Sequence, residues 1–291
     1  MSQKRQGAIF DRRGRAAAEI TALACDYAPG HVVPWHFHEW GQVVYASRGV
    51  MTVRSNEGVW VVPTHRAVWI PAGTAHTIRM SGRVAMRTLY LRPQVARTLP
   101  RACCVIHVSP LLRELILHAC HGAALKKTAR REWHLIHVIL DQLEAVETVP
   151  LQLRSPEDAR AKRFADRLLA EPGNTRPLAE LCQRAGASKR TMERLFRDQV
   201  GMTLGKWRQQ LRLMEAMRLL AGGAKVTHAA LDAGYSTPSA FIAMFGKALG
   251  TTPRAYFRAD SRVEKRNSKS EEPRKIDSQK MSARQRRFGA G

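Results

Sequence analysis

Nowhere in its 291 residues does the chain carry an apolar run approaching the ~18–20 residues that a bilayer-crossing helix needs. Its opening segment, MSQKRQGAIFDRRGR, has no apolar core for export, which points to the cytoplasm. Cysteine is scarce. Cys25, Cys103, Cys104, Cys120 and Cys182 form neither an even framework nor a CxxC pair, so a disulfide scaffold is excluded and reduced, mostly buried thiols are expected. Acidic residues are also few: 24 Asp and Glu stand against 48 Lys and Arg, a formal net charge of +24. A surplus of that size favours a polyanionic partner such as nucleic acid or an anionic membrane surface, and says nothing about fold.

What the chain does have is a repeat. LAELCQRAGASKRTMERLFRDQVGMT (Leu178–Thr203) and VTHAALDAGYSTPSAFIAMFGKALGTTP (Val226–Pro253) align when Ala185-Gly186 is laid over Ala233-Gly234. Each copy reads as an apolar helix, an Ala-Gly break, a Ser two residues on, and a second helix that carries Phe196 or Phe245 and ends at Gly201 or Gly250. In the first copy Pro177 pre-sets the helix start, Gly186 allows the left-handed stop, and Ser188 can cap the next helix. Along that next helix Met192, Leu195, Phe196 and Val200 fall on one face. Arg190, Glu193, Arg194 and Arg197 fall on the other, behind Ser188 and Lys189 at the helix start. In an isolated helix this is the pattern of a solvated charged face. Within a repeated helix-turn-helix it suits a major-groove reader, because Arg bonds guanine bidentately.

Thr203 to Leu220 contains no proline and reads as one helix, roughly 30 Å long. Leu204, Trp207, Leu211, Met214 and Met217 mark its buried side, with Lys206, Arg208 and Arg212 projecting elsewhere. Successive major grooves on one side of B-DNA lie ~34 Å apart, so a rigid connector of this length can set two units in neighbouring grooves. In the second unit Ser236 or Thr237 caps the helix and Pro238 takes its first turn, while Phe241, Ile242, Phe245 and Leu249 make the expected core stripe. The outward face, Ser239, Ala240, Ala243 and Lys247, is small and nearly uncharged. It can lie close to thymine methyls, or the unit can chiefly position the protein while the first supplies specificity.

The N-terminal part reads differently. From about residue 17 to 92 it is rich in Val, Trp, Tyr and Thr and punctuated by Gly and Pro, the rhythm of short antiparallel strands closing into a sandwich or barrel. Turns are expected at Ala28-Pro29-Gly30, Ser47-Arg48-Gly49, Ser55-Asn56-Glu57-Gly58, Pro71-Ala72-Gly73 and Ser81-Gly82. Trp35, Trp40, Tyr45, Trp60, Trp69 and Tyr90 either touch a ligand or form core and rim. Further on, Ser109-Pro110 starts one amphipathic helix and Leu135 to Leu143 mark a second, an αα-hairpin able to pack on the barrel, on a second copy of the chain, or both. His118 with His121, and His134 with His137, have a spacing that permits a metal, though exposed polar faces explain them better. Pro150 to Pro156 reads as a linker, and Ser155-Pro156-Glu157-Asp158 as a helix start.

Two resemblances organise these observations. Gly30, His36-Phe37-His38, Gln42 and Gly49, followed by Pro71-Ala72-Gly73-Thr74-Ala75-His76, resemble the two motifs of the cupin family. The departures are Gln42 where Glu is usual, Met80 where Asn is, and His65 where Gly is. The resemblance implies that His36, His38, Gln42 and His76 converge inside the barrel on an effector or a divalent metal. With no carboxylate, a binding pocket with or without metal is expected ahead of an oxygen-activating centre. From Leu178 to Phe257, Ala185-Gly186, Leu195-Phe196, Gly201-Met202-Thr203, Arg212-Leu213, Ala233-Gly234-Tyr235-Ser236, Met244-Phe245, Gly250-Thr251-Thr252-Pro253 and Tyr256-Phe257 resemble the AraC/XylS family of bacterial transcription regulators.

The resemblance implies that Arg190, Glu193, Arg194, Pro238, Ser239 and Ala243 face bases. Ser188, Lys189, Arg197, Arg208, Arg212, Ser236 and Lys247 complete the expected DNA-contacting set. The expected organisation is α+β multidomain: an antiparallel cupin-like β-barrel over 8–100, a helical pairing segment over 107–150, an all-α tandem helix-turn-helix domain over 156–258, and a basic tail over 259–291. Expected partners are a promoter or operator duplex, a small-molecule or metal effector, a second copy of the chain and RNA polymerase, with no membrane and no catalysis. A cupin metalloenzyme of dioxygenase or isomerase type, joined to a DNA-binding appendage, is the competing reading.

Overall fold

Strand-forming Val, Ile, Thr and aromatic residues dominate the N-terminal half, and the computed structural model of the protein arranges them as one antiparallel sheet. It describes residues 18–257 apart from 123, 144 and 147–150. The basic N-terminal segment, the expected domain start at residue 8 and the tail over 259–291 lie outside the described residues. In chain order the strands are β1 (Ala18–Tyr27), β2 (Val32–His36), β3 (Gly41–Ser55), β4 (Gly58–Val62), β5 (Arg66–Ile70), β6 (His76–Leu91) and β7 (Cys104–His107). Helices α1 (Pro110–His121) and α2 (Arg130–Gln142) follow, interleaved with the short strands β8 (Leu125–Lys126), β9 (Ala145–Val146) and β10 (Gln152–Arg154). The remaining described helices are α3 (Ala159–Ala170), α4 (Leu178–Arg184), α5 (Lys189–Val200), α6 (Leu204–Ala221), α7 (Val226–Asp232) and α8 (Pro238–Leu249).

β3 and β6 are the spine, paired antiparallel from Gly41↔Leu91 to Ser55↔His76. The turns expected at Ser47-Arg48-Gly49 and Ser81-Gly82 are bulges within these two strands instead. Gly49 and Gly82 have positive φ, and the register shifts between Ala46 and Val50, so each strand bends without ending. The bend turns alternate residues toward different partners. Met51, Val53, Ile78 and Met80 fill the barrel interior with Trp60 and Val62. Val43, Tyr45 and Trp69 instead meet Leu112, Ile116, Ile136 and Ile139 of the α1/α2 hairpin, which packs on the sheet.

A third cluster joins the two halves of the chain. Val50, Val59 and Val61, on the outer face of the sheet, pack with Leu151, Leu153 and the helices that follow. The segment expected as a linker is therefore structural. Leu151 and Leu153 alternate inward, and Gln152–Arg154 pairs with β4 as β10. Asp158 then caps α3, accepting from the Arg160 and Ala161 N–H groups. Phe196 meets Phe164 and Trp207 edge to face at 5.4 and 5.5 Å between ring centres, and Phe164 and Trp207 lie tilted at 6.4 Å, which ties α3, α5 and α6 into one core.

Candidate nucleic-acid interface and sensor pocket

The candidate DNA-facing surface is built by local turn chemistry. Before α5, Gly186 takes φ 86° and Ser188 Oγ accepts the Thr191 N–H at 3.2 Å; Gly201, φ 75°, ends the helix. Before α8, Gly234 takes φ 85° and Thr237, of the two candidate caps, accepts the Ala240 N–H at 3.1 Å; Gly250, φ 72°, ends it. Met192, Leu195, Phe196 and Val200 are buried beneath α5. Ser188, Lys189, Arg190, Arg194 and Arg197 are exposed. Arg194 lies 3.9 Å from Asp198 with both side chains largely in water, a pairing too weak to hold it back from a duplex.

Glu193 is half-buried, and its carboxylate accepts the Leu204 N–H at 3.2 Å across the turn to α6. Part of its function is thus to hold the start of the connecting helix. Arg208 and Arg212 depart further from expectation. Arg208 is buried, donating to the carbonyls of Arg176 (2.8 Å) and Asn174, and Arg212 donates to Asn174 O at 3.1 Å. Burial of both guanidiniums lowers their pKa values. These two arginines clasp the 171–176 loop and are withdrawn from the surface, because that loop's carbonyls have no helix or strand partner and the guanidinium fork supplies one.

The same loop touches the second unit. A Cβ on Gly173 would meet Asp232 O at 2.2 Å, and one on Gly234 would meet Gly173 O at 2.8 Å. The clasp therefore links both copies through one loop. Ser236, just before α8, and Ser239, Ala243 and Lys247 on it are exposed, and Pro238 is half-buried. Phe241 and Phe245 form the core, but Ile242 does not: it is 41% exposed. The signal was there in the spacing, since residues 239, 242 and 243 share one face of a helix.

The candidate sensor pocket, the histidine cluster, lies in the sheet. His36 ends β2, His76 begins β6, and the two are directly paired in register. The ligand nitrogens of His36, His38 and His76 all lie within 4.8 Å of one another, and among the described residues this is the convergent group of potential metal ligands. His36 Nδ1 meets Pro34 O at 2.7 Å and His76 Nδ1 meets Thr74 O at 2.9 Å. A carbonyl only accepts, so each Nδ1 carries the proton and each Nε2 presents a lone pair. Burial pushes the pKa of His36 down and that of His76 down to about 4, so both rings are neutral near pH 7.

Gln42 donates from Nε2 to Thr88 Oγ1 and Tyr90 OH, each at 3.1 Å. Among the described residues its buried Oε1 finds no hydrogen-bond partner, and neither does His76 Nε2. Those orphaned acceptors fit a divalent cation or a hydrogen-bond donor. The adjoining cavity, about 240 Å³, is walled by Leu23, Tyr27, Ile78, Met86 and Tyr90. Of the six aromatics considered, Tyr90 alone lines it; Tyr45 and Trp69 belong to the cluster under the hairpin, Trp60 to the barrel core. His121 and His137 bond carbonyls of their own helices, which satisfies their Nδ1 atoms locally. His65, the departure from the cupin pattern, sits 2.9 Å through Nε2 from Tyr256 OH and so bridges the sheet to the C-terminal helices.

Comparison with known proteins divides the chain in the same way. A family described as an AraC-like ligand binding domain matches residues 22–153, and one described as a helix-turn-helix domain matches 181–259. The HTH-type transcriptional regulator NimR of Escherichia coli (strain K12) is 32% identical over 223 residues, covering 77% of this chain and 81% of that protein. The HTH-type transcriptional activator RhaR of Mannheimia succiniciproducens is 23% identical, covering 77% and 86%. A crystal structure of ToxT from Vibrio cholerae aligns with 82% of this chain and 97% of that one, at 8% identity and a TM-score of 0.36.

Proposed function

Because this chain belongs to the AraC family of helix-turn-helix transcriptional regulators, we propose that it reads its promoter mainly through α5, under the control of the histidine pocket. It is a DNA-binding regulator with a ligand-binding domain. The observation that carries the finer reading is the contrast on α5: four buried apolar residues beneath, and exposed Arg190, Arg194 and Arg197 above. Arg190 and Arg194 are assigned base contacts, and Ser188, Lys189 and Arg197 phosphate contacts. On α8, Ser236 and Lys247 meet phosphates, while Pro238, Ser239 and Ala243 lie against base edges.

His36, His38 and His76, with Gln42 as a neutral fourth donor, would hold a divalent ion such as zinc, or the polar end of an organic effector. The ion would supply a fixed positive charge in the pocket. Without a carboxylate the donor set suits binding better than oxygen chemistry, and we read the pocket as sensory and the protein as a cytoplasmic non-enzyme. No described helix is long and apolar enough to cross a membrane. Exposed Leu111, Trp133 and Val138 on the α1/α2 hairpin support pairing of two copies there, and RNA polymerase is the further partner if the outcome is activation.

The test is capture of fragmented genomic DNA by full-length protein, with added zinc and with a chelator. Enriched sites should share a motif and shift in occupancy with zinc, and Arg190→Ala with Arg194→Ala should flatten that motif. Occupancy that ignores both zinc and His36→Ala/His38→Ala removes the control role of the pocket. Oxygen uptake that depends on His36 and His38 removes the non-enzyme reading.

A further inference from the structure

A cleft of about 690 Å³ is neither the histidine pocket nor the face of α5 and α8 assigned to DNA. It lies between the outer face of the sheet and helices α3 and α6, so its walls come from both halves of the chain. Its size is that of ordinary small-molecule sites, which favour boundaries between domains. We propose that this cleft binds a small aromatic monoanion, held by Arg79 and Trp35, whatever the histidine pocket contains.

The charge pattern selects the ligand class. Three arginines line the cleft. Arg218 makes a two-pronged ion pair with Glu215, at 2.8 and 2.6 Å, and Arg54 reaches Asp166 at 3.1 Å. Arg79 is exposed, and its guanidinium makes no ion pair or hydrogen bond among the described residues. One guanidinium is thus left with its fork open, which matches a single carboxylate or sulfonate. A second anionic group would have to displace Asp166 or Glu215.

Trp35, 47% exposed on β2, presents a ring for stacking in the same cleft. Across from it, Leu211 and Met214 of α6 supply an apolar wall. Thr52 and Thr77 add short polar side chains to the sheet wall of the cleft. An aromatic body with one acidic group satisfies all of these at once. A ligand touching both walls binds the docked arrangement of sheet and helices better than any other, and so biases how the reading units are held. Val32 and Pro34 of β2 line this cleft and also the histidine cavity, which places the two sites back to back on one strand.

The test uses full-length protein with 2-naphthoate and its uncharged partner 2-naphthamide, titrated calorimetrically. Naphthoate should bind at least tenfold more tightly than the amide. Arg79→Gln should erase that ratio without weakening the amide, and Trp35→Leu should weaken both. His36→Ala/His38→Ala should leave naphthoate binding unchanged. Amide exchange should slow in Val32–His36 and in Leu204–Ala221 together. No binding up to millimolar naphthoate, equal affinities for acid and amide, an unaffected Arg79→Gln variant, or loss of binding in the histidine variant would each overturn the site. Slowed exchange in the sheet alone would overturn its two-walled form.

Discussion

Helices α5 and α8 each run twelve residues from a hydroxyl cap to a left-handed glycine, yet α5 carries three exposed arginines and α8 none. Their cores correspond as well, with Phe196 beneath one and Phe245 beneath the other, both fully buried. The scaffold of a reading unit is therefore separable from its readout. Turn, cap and aromatic anchor recur because the helix-turn-helix cannot form without them. The outer face is free to differ. A first way to press this comparison is to remove the shared part. Phe196→Ala and Phe245→Ala should each cost about 3–5 kcal/mol of stability by denaturant unfolding. A much smaller cost at Phe245 would mean that the second scaffold is not the equal of the first.

The copies also share one clamp, and its effect ranks next. Arg208→Met should lose about 2–3 kcal/mol of stability, since it strips hydrogen bonds from the buried carbonyls of the 174–176 segment. Lys206→Ala, two residues away and exposed, should fall within about 0.5 kcal/mol of wild type. If the clamp sets the spacing of the two units, Arg208→Met should also tolerate altered half-site separation in a selection from randomised duplexes. Wild-type spacing stringency in the variant would confine Arg208 to stability alone.

Readout is where the copies should part. Arg190→Ala or Arg194→Ala should cost about 1–3 kcal/mol of duplex affinity and relax preference at one base pair. Ser239→Ala and Ala243→Gly should do less. The measurement is affinity for a selected site and its single-base variants at fixed salt, because phosphate contacts make every such value salt-dependent. Unchanged preference in both arginine variants would move specificity off α5.

Much of this was legible in the residues, for identifiable reasons. Gly186, Ser188, Gly234 and Thr237 act through their own backbone and nearest neighbours, and local chemistry can be read locally. The β-bulges at Gly49 and Gly82 look like turns in sequence, because a positive-φ glycine serves either use and only the strand across from it decides. Arg208 looks like a surface residue in sequence because its partners lie 32 and 34 positions away, in a loop with no pattern of its own. Leu151 and Leu153 were lost in a proline-flanked segment, since two alternating leucines are too few to announce a strand. The histidine cluster needed only its motif spacing, whereas the open fork of Arg79 depends on which carboxylates the fold brings to Arg54 and Arg218.

The second copy is tied back to the N-terminal half by a side-chain contact. Tyr256, just beyond α8, packs on Phe245 and meets His65 of the sheet. Burial first, then Arg66 and His107, lowers the His65 pKa to about 4. The unfolded chain therefore binds a proton between pH 6.5 and about 4 while the folded chain does not, and stability falls as pH falls through that window and levels above it. After discounting for partial exposure the loss should be about 1–2 kcal/mol. His65→Gln should remove part of it in pH-dependent melting, the rest belonging to His36 and His76, which shift the same way. An identical pH profile in the variant would show that the tether carries no proton linkage.

The smallest effect probes what α8 does in place of arginine. Ile242 stands half in water on the face that also holds Ser239 and Ala243, and an aliphatic side chain on a groove-facing helix has one base feature to meet, the thymine methyl. Ile242→Ala should cost about 1 kcal/mol, the scale of one or two buried methyl groups. Replacing thymine by uracil in the second half-site should cost wild type the same amount and the variant nothing, a double-mutant cycle between protein and duplex. Equal uracil penalties in both proteins would leave Ile242 as an exposed residue without a reading role, and α8 as a unit that positions only.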